Sequence, residues 1–329
     1  MANELANKLA NNLTNKLAHE VANELGHEAV DRVAAAAGGF RCGHVAIVGR
    51  PSVGKSTLLN ALVGQKISIT SKKPQTTRYR ITGIATDARA QIVFVDTPGF
   101  QTKHRSRLND RLNRAVRESL ADVDAVVLVL DATRVTPADL AVIALLPRDV
   151  PVIAAVNKVD TLADKAAFMA RLAEIAQLHP FAAIVPVSAE KGTQLAALRD
   201  EICAVLPISD RLYPEDDLTD RDERFLAAEF IREKIFRLLG DEVPYATTVA
   251  IDSFAMEGTL RRVHATVYVD KPGQRAILLG EGGSQMKAIA THARSDMEKL
   301  FGGPVFLEVW VRVKGGWADT DASLARFGY

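Results

Sequence analysis

Gly49-Arg50-Pro51-Ser52-Val53-Gly54-Lys55-Ser56 decides the fold. It fits G-x-x-x-x-G-K-[ST], closes the apolar run that begins at His44, and leads into the helix-favouring Thr57-Leu58-Leu59-Asn60. The chemistry needs that context. Gly49 and Gly54 permit a tight loop whose backbone N–H groups converge on phosphate oxygens, and the helix that follows presents its positive end. Lys55 supplies a point charge to β- and γ-phosphates, and Ser56 a hydroxyl ligand for Mg2+.

A phosphate loop alone does not choose a base. Asp96-Thr97-Pro98-Gly99 ends the apolar run 92–95, which sets a carboxylate at the C-terminal edge of a sheet, where ligands bind in open α/β folds. Asp96 can hold Mg2+ through water, and the Gly99 N–H can meet a γ-phosphate. Asn157-Lys158-Val159-Asp160 ends the run 150–156. There Asp160 can accept from N1–H and the exocyclic amine of guanine, a donor pair that adenine lacks. Ser188-Ala189-Glu190 ends the last run, 184–188, and the Ala189 amide is expected to face the guanine O6. The polar segment Ser71-Lys72-Lys73-Pro74-Gln75-Thr76-Thr77-Arg78 suits a loop ordered by the γ-phosphate and Mg2+. Thr77, or else Thr76, is its Mg2+ ligand, with Gln75 alongside. Lys55, Thr77 and Gly99 are the candidate catalytic groups.

These motifs sit on runs rich in Val, Ile and Ala at 44–49, 92–96, 125–131, 150–157 and 184–188, separated by helical stretches. Near-continuous apolar runs mark strands buried on both faces, so residues 41–206 form an α/β domain with a mostly parallel sheet between helices. Residues 79–85 add an antiparallel edge strand. A polar linker at 207–220 precedes a smaller α+β unit at 221–329: helix, two strands, helices across 276–300, and a last strand at 305–314. Residues 1–40 are a helix-prone extension. Leu5, Leu9, Leu13, Leu17, Val21 and Leu25 recur every fourth residue, a stripe that drifts about 40° per step and makes no coiled-coil seam.

Composition excludes little: the chain has 329 residues, 48% hydrophobic and 25% charged, with net charge +1. A nucleic-acid surface must therefore be local. Cys42 and Cys203 match neither a disulfide framework nor a metal ladder. No apolar run approaches the ~18 residues of a spanning helix, and no secretory leader opens the chain, which implies a cytoplasmic protein.

Gly49 to Ser56, Gln75-Thr76-Thr77-Arg78, Asp96 to Gly99, Asn157 to Asp160 and Ser188-Ala189-Glu190 together resemble the Era family of bacterial GTPases. In the second half Pro214-Glu215-Asp216, Glu308-Val309-Trp310-Val311, Gly315-Gly316-Trp317-Ala318-Asp319 and Phe327-Gly328-Tyr329 extend the likeness to roughly residues 40–329. The resemblance implies GTP and GDP binding with Mg2+ and GTP hydrolysis by a monomer. It also implies a KH domain that binds small-subunit ribosomal RNA near its 3′ end, and a role in assembly of the small ribosomal subunit. Some members associate peripherally with the inner membrane. Ser52 stands where many members carry Asn, a side chain linked to potassium binding, which puts potassium activation in doubt here.

The implied RNA loop is Gly280-Glu281-Gly282-Gly283, a G-x-x-G turn whose glycines let the backbone approach phosphates, with Lys287 in the helix beyond. Glu281 departs from the family by placing an acid where basic residues are usual. Residues 271–317 carry seven Lys/Arg against four acids, a modest local excess. Trp310, in an alternating strand, is expected in the core; Trp317 is left open. Phe100 follows Gly99 where small signalling GTPases place a water-orienting Gln, so intrinsic hydrolysis should be slow. Two other readings compete with an RNA-assembly GTPase of this type. In one the C-terminal domain serves a protein or membrane partner. The other is a P-loop kinase, which has no need of the Asn157 to Asp160 motif.

Overall fold

A run such as Ala-Val-Val-Leu-Val-Leu has no polar face to give to water, so it folds only where both faces are covered. In a computed structural model of the protein, whose described residues are 39–100, 107–162, 164–240 and 242–317, the run forms β4 (Ala125–Asp131) in the middle of a six-stranded sheet. The others are β1 (Arg41–Val48), β2 (Ile81–Thr86), β3 (Ala90–Asp96), β5 (Val152–Asn157) and β6 (Ala183–Pro186), in the order β2-β3-β1-β4-β5-β6. Only β2, at the edge, is antiparallel to its neighbour. Helices α1 (Lys55–Val63) and α5 (Leu195–Val205) cover one face, where Val45, Ile47 and Val127 meet Leu58 and Leu198. Helices α2 (Arg107–Glu118), α3 (Pro137–Ile143) and α4 (Lys165–Ala176) cover the other, where Ala46, Val48 and Leu128 meet Val116, Val142 and Ile175. Each large aliphatic side chain turned to water would cost about 1.5–3 kcal/mol, so the pleat fixes the register.

The expected linker is bonded to the first domain along its length. Cys42 N–H donates to Pro207 O at 3.1 Å. The buried Gln91 accepts from the N–H of Leu212 and Tyr213 and donates back to Tyr213 O. Ile84 N–H donates to Leu218 O at 2.8 Å, and Thr219 Oγ1 donates to Thr82 O at 2.6 Å. The segment read as a polar linker is thus a partner of the sheet.

The second domain stacks α6 (Glu223–Leu238), α8 (Pro272–Leu279) and α9 (Ser284–Phe301) on one face of a three-stranded sheet. Its strands are β7 (Thr247–Glu257), β8 (Leu260–Val269) and β9 (Val305–Val313), in the order β7-β8-β9. A four-residue helix that the sequence did not announce, α7 (Glu242–Tyr245), precedes β7. One expectation changes here, and the position left open is filled. Trp310 is 58% exposed, because Leu307, Val309 and Val311 turn toward the helices while, among the described residues, no helix covers the opposite face of the sheet. Trp317 is the buried one, its Nε1 donating to Ala246 O at 2.9 Å. Residues 1–38, with the leucine stripe, and the closing Phe327-Gly328-Tyr329 lie outside the described residues.

Candidate functional site

Every parallel strand delivers a motif to the same sheet edge. After β1 the loop rises through Gly49 (φ 154°) and Gly54 (φ 101°) into α1. A Cβ on Gly49 would lie 2.6 Å from Val129 O, and one on Gly54 would strike Asn157 Nδ2, so both positions are held to glycine by packing as well as by φ. Lys55 is buried, its Nζ donating to Gly49 O at 3.0 Å and Arg50 O at 3.1 Å. Burial pulls its pKa down to about 8, against the opposing pull of Asp96. Arg50 is braced to α3 through Asp139 at 3.1 Å; Pro51 and Ser52 form the crest, with Val53 buried beneath. Thr57 is half-buried in the first turn of α1.

Ser56 Oγ donates to Asp96 Oδ2 at 2.7 Å. With its one proton so used, it accepts from Thr77 Oγ1, also at 2.7 Å. Of the two threonines the structure thus brings Thr77 beside Ser56, while Thr76 Oγ1 turns back to Lys73 O at 2.8 Å. Gln75 (φ 59°) donates to Asn109 Oδ1 at 3.0 Å. Ser68, which the sequence reading missed, donates to the same Asp96 Oδ2 at 2.9 Å. Asp96 is fully buried; burial lifts its pKa, and Lys55 and the two serine hydroxyls oppose the rise. Its Oδ1 is buried without a hydrogen-bond partner. An orphaned carboxylate oxygen beside two hydroxyls fits a hard divalent cation taken through water. Among the described residues no three His, Cys, Asp or Glu side chains cluster as a metal site, which leaves hydroxyls and this one carboxylate as the candidate donors. Thr97 Oγ1 donates to Ile47 O at 2.9 Å, and Pro98 is buried. A Cβ on Gly99 would lie 2.8 Å from Pro51 Cα, which shows how tightly the end of β3 abuts the loop. Phe100 packs with the α2 side of the core, near the Arg117 guanidinium.

At the other end of the cleft Asn157 bridges two loops. Its Nδ2 donates to Val53 O and its Oδ1 accepts from Ala189 N–H, both at 2.9 Å. The Ala189 amide, expected to face a base, is therefore engaged by Asn157, whose carbonyl oxygen is aimed there by its donation to Val53. Lys158 (φ 71°) reaches over the loop to Ser52 O and Asp131 Oδ2, each at 2.8 Å. Asp131 ends β4 as Asp96 ends β3, a parallel that could have flagged it. Asp160 is exposed and accepts from Ser188 Oγ; Glu190 is exposed.

On the second domain, Gly280 (φ 71°), Gly282 (φ 58°) and Gly283 (φ 79°) take left-handed backbone between α8 and α9. A Cβ on Gly280 would lie 2.7 Å from Gln285 Cβ, whereas one on Gly283 meets nothing within 4 Å. Glu281, Gly282 and Lys287 are exposed around the turn, as is Ile277 on α8. Among the described residues no helix is long and apolar enough to cross a membrane.

Comparison with known proteins agrees with this division. A family model described as a 50S ribosome-binding GTPase matches residues 44–158, and a KH domain model matches residues 242–318. GTPase Era of Chromobacterium violaceum is 56% identical over 289 residues, 88% of this chain and 98% of that one. GTPase Era of Nitrosomonas eutropha is 52% identical over 294 residues, 89% and 99% of the two chains. Among solved structures, a variant of Aquifex aeolicus Era bound to GDP·AlF4− superimposes with a TM-score of 0.85 at 36% identity, over 88% of this chain and 99% of that one. A structure of Era in complex with MgGDPNP and nucleotides 1506–1542 of 16S ribosomal RNA matches with the same TM-score and identity. With a P-loop GTPase domain followed by a KH domain, and more than half of the aligned residues identical across nearly the whole of such relatives, this chain belongs to the Era family of GTPases.

Proposed function

We propose that the protein is a GTP-hydrolysing switch that grips small-subunit ribosomal RNA near its 3′ end through the 280–283 loop and assists assembly of the small ribosomal subunit. The observation that carries the nucleotide half is the meeting of Ser56, Thr77 and Asp96 at the mouth of the P-loop, with Asp96 Oδ1 unsatisfied. Backbone N–H groups of the loop and the positive end of α1 receive the phosphates, and Lys55 adds a charge that the buried site leaves unscreened. Ser56, Thr77 and, through a water, Asp96 would hold magnesium, which would supply positive charge to neutralise the phosphates. Gly99 presents its N–H to the γ-phosphate, and Asp160 selects guanine. Phe100 cannot orient a water, so turnover is slow and acts as a timer. Ser52 offers no amide oxygen to a potassium ion beside the phosphates. The protein works as a cytoplasmic monomer, and any contact with the inner membrane is peripheral.

The RNA half is supported by the left-handed glycines and by the RNA-bound relative. Its test is a pair of variants, folding verified by circular dichroism, titrated with an RNA of the 3′ region across a salt series. Gly283→Asp adds a carboxylate in the open space before the loop and should weaken binding. Glu281→Lys should tighten it, most at low salt, and steepen the salt dependence by about one counterion. If both fold and neither changes affinity or slope, the RNA does not use this loop.

A further inference from the structure

We infer that Arg78 is the positioning residue that passes the state of Thr77 at the phosphate cleft to the RNA-binding domain; the inference rests on the function proposed above. Thr77 and Arg78 are adjacent in the chain but serve different domains. Thr77 bonds to Ser56 inside the cleft. Arg78, only 3% exposed, sends its guanidinium into the second domain. It donates to Thr247 O at 2.9 Å, Pro244 O at 3.1 Å and Tyr245 O at 3.2 Å, between the rings of Phe236 and Trp317. A guanidinium serving three carbonyls of α7 and the start of β7 is a rigid fork. Thr77 therefore cannot move far without either breaking those buried bonds or carrying α7 with it.

The same segment grips that domain at two further points. Lys73 Nζ donates to Leu239 O and Gly240 O, at the C-terminal end of α6. The neighbouring Leu238 O accepts from Gln285 Nε2, two residues beyond Gly283 of the proposed RNA loop. Nearer the P-loop, Thr70 N–H donates to the fully buried Glu233 at 2.9 Å, and Lys66 reaches the same carboxylate. The polar loop that lines the phosphate cleft is thus fastened at both ends and in its middle to the domain that carries the glycine turn. A nucleotide that shifts this segment must therefore either shift α7 and the start of β7 with it or break the fork. Coupling of binding free energies is reciprocal, so RNA must bias nucleotide affinity through the same fork.

The chain carries two tryptophans, which supplies a native reporter. Trp310→Phe alters an exposed side chain and leaves Trp317, whose ring lies 5.9 Å from the Arg78 guanidinium carbon. In this full-length background the difference in Trp317 emission between GDP and a non-hydrolysable GTP analogue is measured, with and without Arg78→Ala or Arg78→Lys. RNA affinity is titrated in both nucleotide states. The expected result is a nucleotide-dependent emission difference that disappears in both Arg78 variants. The ratio of RNA affinities between the two states, roughly 5- to 150-fold for a coupled pair, falls to about one. Lysine should not rescue it, because one ammonium cannot serve three carbonyls in fork geometry. A purely structural Arg78 would lower RNA affinity equally in both states and leave the ratio intact. Folded variants with an unchanged ratio and an unchanged emission difference overturn the inference, as does a parent protein whose Trp317 does not respond to nucleotide. If Arg78→Ala does not fold, Arg78→Lys, which keeps charge and stem, decides. Failure of the parent to bind RNA would sink the proposed function instead, while the emission readout still judges the coupling.

Discussion

Asn157→Ala should separate the two ends of the nucleotide cleft. The side chain is 2% exposed, and both of its arms are used: Nδ2 to Val53 O and Oδ1 from Ala189 N–H, each at 2.9 Å. Two neutral hydrogen bonds contribute about 1 kcal/mol each, and a buried partner left unsatisfied costs about 1–3 kcal/mol. Water entering the gap relieves part of that, so about 2–4 kcal/mol of stability should be lost. The P-loop and the loop at Ala189 then lose their common brace, and GTP affinity should fall by roughly tenfold or more. Asn157→Asp sharpens the test. It keeps the acceptor for Ala189 but sets a carboxylate oxygen against Val53 O, so it should cost at least as much as alanine. Urea unfolding followed by circular dichroism reads the stability, and titration with a fluorescent guanine nucleotide reads the affinity. An Asn157→Ala protein within about 0.5 kcal/mol of wild type, the range of neutral surface changes, would refute the brace. So would one that loses affinity alone, since Asn157 would then act only on the nucleotide.

Asp160→Asn should weaken GTP and favour xanthosine triphosphate, whose C2 carbonyl can accept from the new amide; paired titrations that keep the GTP preference remove Asp160 from base selection. Gly99→Ala places a Cβ 2.8 Å from Pro51 Cα and 2.9 Å from Pro51 N, backbone that has little room to yield. It should fold yet lose most GTP hydrolysis, and phosphate release at the wild-type rate would contradict the close approach. Glu233 is fully buried; burial alone would raise its pKa, but Lys66, Lys234 and the Thr70 N–H overcome that and hold it below the ordinary carboxylate range. Its stabilisation is therefore complete above the unfolded-state pKa of about 4.5 and is lost as the pH falls through the lower native value. Glu233→Gln should lower stability at neutral pH and flatten the acid limb of a plot of urea midpoint against pH, without abolishing it, because Asp296 is shifted in the same direction. Parallel acid limbs for the two proteins would exclude Glu233 as the titrating group.

The nucleotide half was legible because its chemistry is local. Strands buried on both faces are apolar end to end, and the glycines, Lys55 and Asp96 stand at their C-terminal ends, where strand order requires a ligand edge. Alternation in β9 announced two faces, but nothing along the chain tells which face receives helices, so Trp310, expected in the core, lies exposed. The fastening of Lys66 to Glu233 and Asp296 joins residues 167 and 230 positions apart, and no periodicity reports on such a distance. Ser68 was invisible for a related reason: its hydroxyl meets Asp96 only once β3 has brought that carboxylate across the cleft. Short α7, with Pro244 within four residues, carries no periodic signal at all.

The bonds between the 207–220 segment and the sheet also fix where the GTPase domain ends. β2 is an outer strand, and an unguarded outer strand offers its N–H and C=O groups to any neighbouring chain. Here Leu218 takes up the Ile84 N–H and Thr219 the Thr82 carbonyl, so the chain shields its own flank before crossing to the second domain. A GTPase domain excised at Leu206 would discard that shield, strip Gln91 of its backbone partners at Leu212 and Tyr213, and invite self-association. The natural seam lies after Asp220, whose carboxylate accepts from Thr82 Oγ1 at 3.0 Å.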